Sequence, residues 1–447
     1  MTTSAMPAFG RLFDCLVDDH VGVINSVSEI RTEAGGPQFF HFSAQLCNTL
    51  AIRGYPNCGR TSAAAARRDV AVINAVTDAV SSYCATLRSE EKDKRPVTSA
   101  NSASFSCVPP CDFALFSNQQ YREPGFPWVP FDEDTPVHWA PTLDLQRGEV
   151  MFVPSAMIFL PYAPLAQRGE APIVPHTSTG LACHWNPARA ALEAICDVIE
   201  CDALALFWQC RLVLPHLRIE TLSDTNYDLV ARFERCGSSV NLLKVELDLG
   251  VPTFVAVLTN SSPLSPARVF AAGTGLDPEQ AIRKCLENLA HVHYYCQLIQ
   301  THWRRRSQDP NDVLIQSDHL NYWCDHRNAG LINFLLSSPD RLEFDNLKRL
   351  AVGDPQKDLA ALLRRIQSNG YRILLADITS PDIKTMGLSV LRAVIPGLHP
   401  LFFGFRTRAL GGSRLWQLAG ELGHNGVTRE SGDSPLPHPF SRKGIVS

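Results

Sequence analysis

Apolar and polar positions follow a helical period in three long stretches of the chain. From Thr61 to Leu87, alanine and aliphatic residues recur at helical spacing, which predicts one helix over the run. Residues from about Pro187 to Trp208 read as a second helix, and those from about Pro278 to Arg304 as a third. A glycine-containing turn precedes each: Gly59, then Gly180, then Gly273 with Gly275. The second and third share Pro-x-x-Ala at their starts (Pro187 with Ala190, Pro278 with Ala281), which marks an internal repeat. Seven residues on from Ala71, Ala190 and Ala281 stand Asp78, Asp197 and Asn288, each a polar residue in an apolar helix. Three such helices presenting polar groups to one place would build a site between the repeats.

The remaining pattern is shorter. The segment Leu12–Ile30 reads as a short helix followed by a strand, and GPQFFHFSAQLCNTLAI as a further strand ending near Gly54. HWAPTLDL, EVMFVPSAMIFL, VNLLKVELDL, YRILLADIT and LSVLRAVIPG also read as strands. Glu90–Pro96 is a charged loop. Ser106–Asp134, rich in proline and aromatics, is expected to be a connection wrapped on the surface, within a linking region of about 88–135. The tail after about Gly432 is proline-rich and expected to be extended. The organisation expected is therefore an N-terminal portion (1–60), a main domain (61–432) and a tail (433–447).

Composition narrows the class. With 447 residues, 45% hydrophobic and 19% charged, the chain has the makings of a globular protein with a large core. A net charge of -4 points to neither nucleic acid nor an anionic membrane as partner. No secretory signal pattern opens the chain and no apolar run is long enough to span a bilayer, so the cytoplasm is the expected compartment. The 14 cysteines form no CxxC pair, and Cys196, Cys201 and Cys285 fall inside helices; buried, reduced thiols are expected rather than a thiolate metal site.

Candidate chemistry lies on the helices. Glu193, Asp197 and Glu200 stand at i, i+4 and i+7 and share one stripe of the second helix, with Arg189 one turn earlier. A row of carboxylates on an otherwise apolar helix calls for a metal, an arginine or a bound ligand to offset it. Asn74, Asp78 and Ser81 form an oxygen-rich stripe on the first helix, suited to magnesium or simply to solvent. The third helix adds Glu287, Asn288, His291 and His293. His291 lies one turn beyond Glu287, as a bonded pair or a ligand pair would, while His293 beside Tyr294 and Tyr295 suits packing. GTGLDPEQA offers a helix N-terminus to phosphate but is no Walker loop. With no nucleophile elbow and no H-E-x-x-H, an ordinary hydrolase or metalloprotease is unsupported.

Taken in order, these segments resemble a known family. LVDDHVGVI, FPWVPFDEDTPVHWAPTLDLQRGEVMFVPSAMIFLPY and TSTGLACHWNPARAALEAICDVIECDA carry the resemblance. FAAGTGLDPEQAIRKCLENLAH, LLADITSPDIKTMGLSVLRAVIPGLHPLFFG, ALGGSRL and the terminal PLPHP continue it nearly end to end. The chain resembles YcaO-domain proteins, and among them the cyclodehydratase subunits of azoline-forming peptide clusters. The resemblance implies an α+β fold of mixed and antiparallel sheets, with long helices from internal repeats surrounding a nucleotide site. It implies ATP and Mg2+ as cofactors and a ribosomal precursor peptide as substrate, whose Cys, Ser or Thr side chains attack the preceding amide. It implies a leader-binding partner protein, a flavin-dependent dehydrogenase in the same cluster and a possible homodimer, in maturation of a trifolitoxin-like or microcin-like peptide. Carried over by position, Asp78, Asp197 and Glu200 would be catalytic and would hold metal. Asn74, Ser81, Arg189, Glu193, Asn288, His291 and His293 would border the nucleotide.

Several positions depart from the family's pattern. The first helix normally carries Ser, Glu and Glu where Asn74, Asp78 and Ser81 stand. The second normally has Glu at Arg189, Glu at Asp197 and Arg at Cys201, with Glu200 alone unchanged. The third normally has Glu, Gln and Arg where Asn288, His291 and His293 stand, and Phe440–Ser447 follow the last proline of the tail. Two expectations follow: an active ATP- and Mg2+-dependent component, or a YcaO-like scaffold that binds the precursor without nucleotide chemistry. Thioamide formation is a more remote third.

Overall fold

Each of the three long helices follows a strand that ends its sheet. The computed structural model describes residues 10, 13–32, 35–50, 57, 59–86, 97–302, 308–421 and 435–441. Its strands and longer helices begin with β1 (Ile24–Ile30), β2 (Phe40–Leu46), β3 (Arg60–Ala65), α1 (Arg68–Ala85), β4 (Val97–Thr98), β5 (Val137–Asp144) and β6 (Glu149–Pro154). There follow β7 (Leu181–His184), α2 (Pro187–Gln209), β8 (His216–Leu217), α3 (Asp224–Glu234), β9 (Ser239–Val245), β10 (Thr253–Thr259), β11 (Arg268–Thr274) and α4 (Pro278–His302). The chain closes with α5 (Gln316–Cys324), β12 (Arg341–Leu342), α6 (Pro355–Ser368), β13 (Leu374–Asp377), β14 (Ser389–Val394) and α7 (Arg414–Glu421).

The sheets run β1-β2-β3, then β4-β5-β13-β14-β7 with β6 on β5, then β11-β10-β9-β8-β12. Pairings between these strands are antiparallel except the short β8–β12 contact. This is the α+β architecture of mixed and antiparallel sheets that the resemblance implies. The terminal strands β3, β7 and β11 lead into α1, α2 and α4, so the repeat is a strand–helix unit whose strand lies at a sheet edge.

Helix α2 begins where the sequence says it should. Asn186 accepts a hydrogen bond from the Arg189 N–H at 3.1 Å, and Pro187 occupies the first helical position, where its missing N–H costs nothing. The helix is buried on nearly every side, against β14, β7, β11 and α6. Helix α4 lies across β11, β10 and β3. Two glycines make these contacts possible. A Cβ on Gly273 would sit 2.2 Å from the Ala281 carbonyl oxygen and 2.6 Å from the Cys285 nitrogen. Gly180 has φ +78°, and its Cβ would meet the Ala393 oxygen at 2.3 Å.

The structure departs from the sequence pattern in particular places. The run expected to be one helix from Thr61 is β3 up to Ala65 and helical only from Arg68. Alanine fits a buried strand as readily as a helix, and pairing with β2 decides the matter. Ser106–Asp134 runs largely over the surface, as expected, but apolar side chains anchor it to the interior. Its Val108, Leu115 and Phe116 are buried in a core with Trp139, and Phe126, Trp128 and Phe131 pack against it. Aromatics without periodicity are still apolar area to bury. The expected loop at Glu90–Pro96 lies outside the described residues, as does the expected strand end near Gly54. Cys196, Cys201 and Cys285 are buried as expected, and no disulfide joins the described cysteines. Among the described residues no helix is long and apolar enough to cross a membrane.

Gly273→Ala is expected to destabilise the protein by about 1–3 kcal/mol, because backbone rather than a side-chain tip opposes the added methyl. Gly275→Ala is the control, since its Cβ would touch only the Ala281 Cβ, at 3.8 Å. Urea denaturation followed by circular dichroism separates the two; equal losses would remove the helix–strand contact as the cause.

Candidate functional site

The carboxylate stripe of α2 descends from solvent into the interior. Glu193 is exposed, Asp197 partly buried, and Glu200 buried at 6% exposure. The Gly180 N–H donates to Asp197 Oδ2 at 2.7 Å, which ties the turn before the helix to the middle of the stripe. From α4, Lys284 places Nζ 3.2 Å from Glu200 Oε2. Burial alone would lower the Lys284 pKa, but the Glu200 and Asp197 carboxylates outweigh it and raise the value above the ordinary lysine range. Lys284 is therefore an ammonium at neutral pH, and it supplies the compensating cation that the row of acids requires.

Asp197, Glu200, Asn288 and His291 line one cleft, with Ala271 and Ala272 of β11 behind them and Phe440 and Ser441 of the C-terminal segment opposite. Asn288 Nδ2 donates to the Ala272 carbonyl at 2.9 Å. His291 Nε2 lies 2.9 Å from Ser62 Oγ, which also bonds Tyr295 Oη at 2.8 Å. Glu287 turns from the cleft to accept the Ala66 N–H at 2.9 Å, just ahead of α1. The polar residues of α4 thus fasten its helix to both β11 and β3.

The other predicted residues stand around this centre. Asp78 and Glu193 do not line the cleft; both bear on the buried Cys183 thiol of β7. That thiol is pushed well up, chiefly by burial and then by Cys84, Glu193 and Asp78. Arg189, partly exposed, bears on His184, which burial first and Arg189 second hold at a pKa of about 4. Asn74 is partly exposed and Ser81 buried, both on α1. His293 points away from the cleft into a buried position beside His41, and burial holds it at about 4 as well. Cys201 is buried with Sγ 3.4 Å from Thr179 Oγ1.

Sequence reasoning missed Lys284, although the signal was present. Lys284, Asn288 and His291 repeat the i, i+4, i+7 spacing of Glu193, Asp197 and Glu200. It also missed how the tail is held. The carbonyls of Leu436, Pro437 and His438 accept from Trp208 Nε1 (3.1 Å), Trp323 Nε1 (3.0 Å) and His319 Nδ1 (2.6 Å). His438 Nε2 donates to the Phe402 carbonyl at 2.9 Å, and Gln316 donates to Ser441 Oγ at 2.8 Å. Phe440, 1% exposed, packs on Phe207, Trp208 and Phe270. The proline-rich tail is a buried wall of the cleft.

A family model described as YcaO cyclodehydratase, ATP- and Mg2+-binding, matches residues 57–399, and the chain belongs to this family. It is 34% identical over 128 residues to an uncharacterised protein from the tfuA 3′ region of Rhizobium leguminosarum bv. trifolii. That match covers 28% of this chain and 29% of that protein, less than a third of its length. The fold is similar to a heterocyclase solved in complex with substrate and cofactor (TM-score 0.79, 20% identity, 97% of this chain and 57% of that one). It is also similar to YcaO from Methanopyrus kandleri bound with AMPPCP and Mg2+ (TM-score 0.63, 16% identity, 89% and 92%). A third likeness is to the E. coli microcin synthetase McbBCD complex (TM-score 0.57, 12% identity, 92% and 96%).

The donor set of the cleft suits a magnesium–phosphate pair. Asp197 and Glu200, on adjacent turns of α2, offer two hard carboxylate donors, as many as magnesium commonly takes from protein. Lys284 adds an ammonium of the kind that binds phosphate oxygens.

The tail clamp makes stability depend on pH. His319 uses both ring nitrogens in neutral form, since Nδ1 donates to the His438 carbonyl and Nε2 accepts the Gly404 N–H at 2.9 Å. Burial lowers its pKa to about 4, and burial with the stacked His319 holds His438 well below its ordinary value. The unfolded chain takes up these protons near pH 6.5, whereas the folded chain holds His319 neutral down to about 4. Protons therefore favour the unfolded state: stability is full above pH 6.5 and falls as the pH drops toward 4. His319 alone contributes a loss of about 2 kcal/mol by pH 5. Urea midpoints measured from pH 7 to 5 should fall, and less steeply in His319→Gln; identical slopes would rule out His319 as a source.

Proposed function

We propose that this chain is the component of a peptide-maturation system that uses ATP and Mg2+ to activate backbone amides for heterocyclisation of Cys, Ser or Thr. The observation that carries the proposal is the contact of Lys284 with Glu200, beside a cleft that Asp197 and Glu200 line together with the C-terminal segment. A precursor side chain gives up its hydroxyl or thiol proton as its oxygen or sulfur adds to the preceding carbonyl carbon, and the resulting tetrahedral oxyanion takes the terminal phosphoryl group of ATP. ADP is released, phosphate then leaves with that oxygen, and loss of the nitrogen proton leaves the C=N bond of an azoline. Hydroxide is a poor leaving group and phosphate a good one, which is why the nucleotide is needed.

In this reading Asp197 and Glu200 would hold the metal, while Glu193 continues the α2 stripe to the surface and Asp78 of α1 lies near Cys183. Bound Mg2+ would offset charge on the phosphoryl oxygens. Lys284, paired with Glu200, would supply a cation to the phosphate oxygens. Asn288 and His291 border the substrate, and Phe440 and Ser441 keep water from the adduct. The precursor, a leader-binding partner protein, a flavin-dependent dehydrogenase and a second copy of the chain are the partners this reading proposes. A trifolitoxin-like or microcin-like peptide is the proposed product.

One observation favours a second reading, in which the chain holds the precursor without turning over ATP. Lys284 already neutralises Glu200, so this carboxylate has a partner without any metal.

The readings separate by experiment. Under the first, the full chain with Mg2+ binds ATP by calorimetry and removes one water per ring from its precursor, seen by mass spectrometry. Glu200→Gln is expected to lower that turnover by about 100-fold or more while the fold survives. No ATP binding, or normal rings made by Glu200→Gln, would leave the second reading standing.

A further inference from the structure

Two residues after Glu200, on the opposite face of α2, lies a buried charge pair bonded to several elements. Asp202 (1% exposed) and Arg414 (8% exposed) are both buried. Arg414 Nε and Nη2 donate to Asp202 Oδ1 and Oδ2 at 2.8 and 2.7 Å. The same guanidinium donates to Asp248 at 2.8 and 2.7 Å and to Tyr371 Oη at 2.6 Å. Asp202 Oδ1 also accepts the His399 N–H at 2.7 Å. One guanidinium thus joins α2, the β9–β10 loop, the approach to β13, the segment after β14, and α7. Such a fork is specific to arginine, because an ammonium has no fixed planar array of donors.

The segments it joins are those that seat the tail. Phe402, three residues past His399, gives its carbonyl to His438, and Gly404 gives its N–H to His319. Leu415 and Leu418 of α7 share a core with Leu401, Phe207, Trp208, Leu436 and Phe440. The path from bolt to cleft is therefore short: Asp202–Arg414 fixes the segment through His399 and fixes α7, these seat Leu436–Ser441, and Phe440 and Ser441 wall the cleft. On α2 itself, residues 200 and 202 are about 200° apart, so one helical turn carries the acid facing the cleft and the acid that fastens the opposite wall.

We propose that Asp202 and Arg414 are positioning residues that hold the C-terminal strap Leu436–Ser441 in register with Glu200 and Lys284. They touch neither nucleotide nor peptide and act through the strap. The proposal rests on the function inferred above for its effect on turnover, but not for its effect on the strap.

The test uses the full chain and three variants: Asp202→Asn, Arg414→Lys and Trp323→Phe. Hydrogen exchange by mass spectrometry reads the amides of Leu436, His438, Phe440 and Ser441. Both bolt variants should speed this exchange about tenfold while β9 and β10 stay protected. Peptide-dependent ATP turnover by the assembled system should lose about tenfold in kcat with KM for ATP changed less than about twofold, since Asp197, Glu200 and Lys284 are untouched. Trp323→Phe removes one N–H from the strap and leaves the bolt intact; it should loosen the strap and lower kcat likewise. The proposal is overturned by unchanged strap protection in both bolt variants, by loss of protection across the whole chain, or by normal kcat with a loosened strap. If the wild type makes no rings, the proposed function fails, and the exchange rates alone decide whether the bolt sets the strap.

Discussion

Helix α2 is buried on nearly every side and carries four acids, and much of the surrounding structure answers that constraint. A carboxylate taken out of water without a partner is too costly to keep ionised. Each acid has its own solution: Glu193 stays at the surface, Asp197 accepts the Gly180 N–H, Glu200 meets Lys284, and Asp202 meets Arg414 and the His399 N–H. The partners come from the turn before the helix, the third repeat, and the C-terminal third of the chain. Satisfying one helix therefore draws together elements more than 200 residues apart in sequence.

Local physics explains what was legible. Helices α2 and α4 could be read closely because a 3.6-residue period over twenty or more positions has no competing interpretation, and because Asn186 and Pro187 mark a start chemically. Strand β3 was not legible, since a run of alanines carries no period and only its pairing with β2 makes it a strand. The segment Ser106–Asp134 was legible as an irregular surface connection but not in its anchors: proline excludes regular structure yet does not keep every phenylalanine at the surface.

The site was legible in part. The stripes on α1 and α2 were visible as spacing, and the cleft does gather Asp197, Glu200, Asn288 and His291. His293 illustrates the limit, because two positions along a helix turn a side chain to the other face, and this one is buried with His41. Lys284 escaped because the third stripe was read from Glu287, one turn too late. No local rule could have found Asp202 with Arg414, whose partnership exists only once the chain has folded.

The strap raises a question of economy: a proline-rich segment could close the cleft through apolar contact alone, yet three successive carbonyls each receive a buried side-chain N–H. Prolines 435, 437 and 439 supply the reason. Proline has no N–H and resists both helix and strand, so a segment of this kind has no regular partner for its carbonyls. Buried without donors, each carbonyl would cost about 1–3 kcal/mol. Indole and imidazole nitrogens are well suited to the task, because they bring rings that pack against Phe440 and His438 while their N–H groups satisfy the backbone. The result is a wall whose backbone position is set by directional bonds rather than by packing alone. A cleft wall that must hold one position to within a fraction of an ångström gains from that directionality, which apolar contact cannot supply.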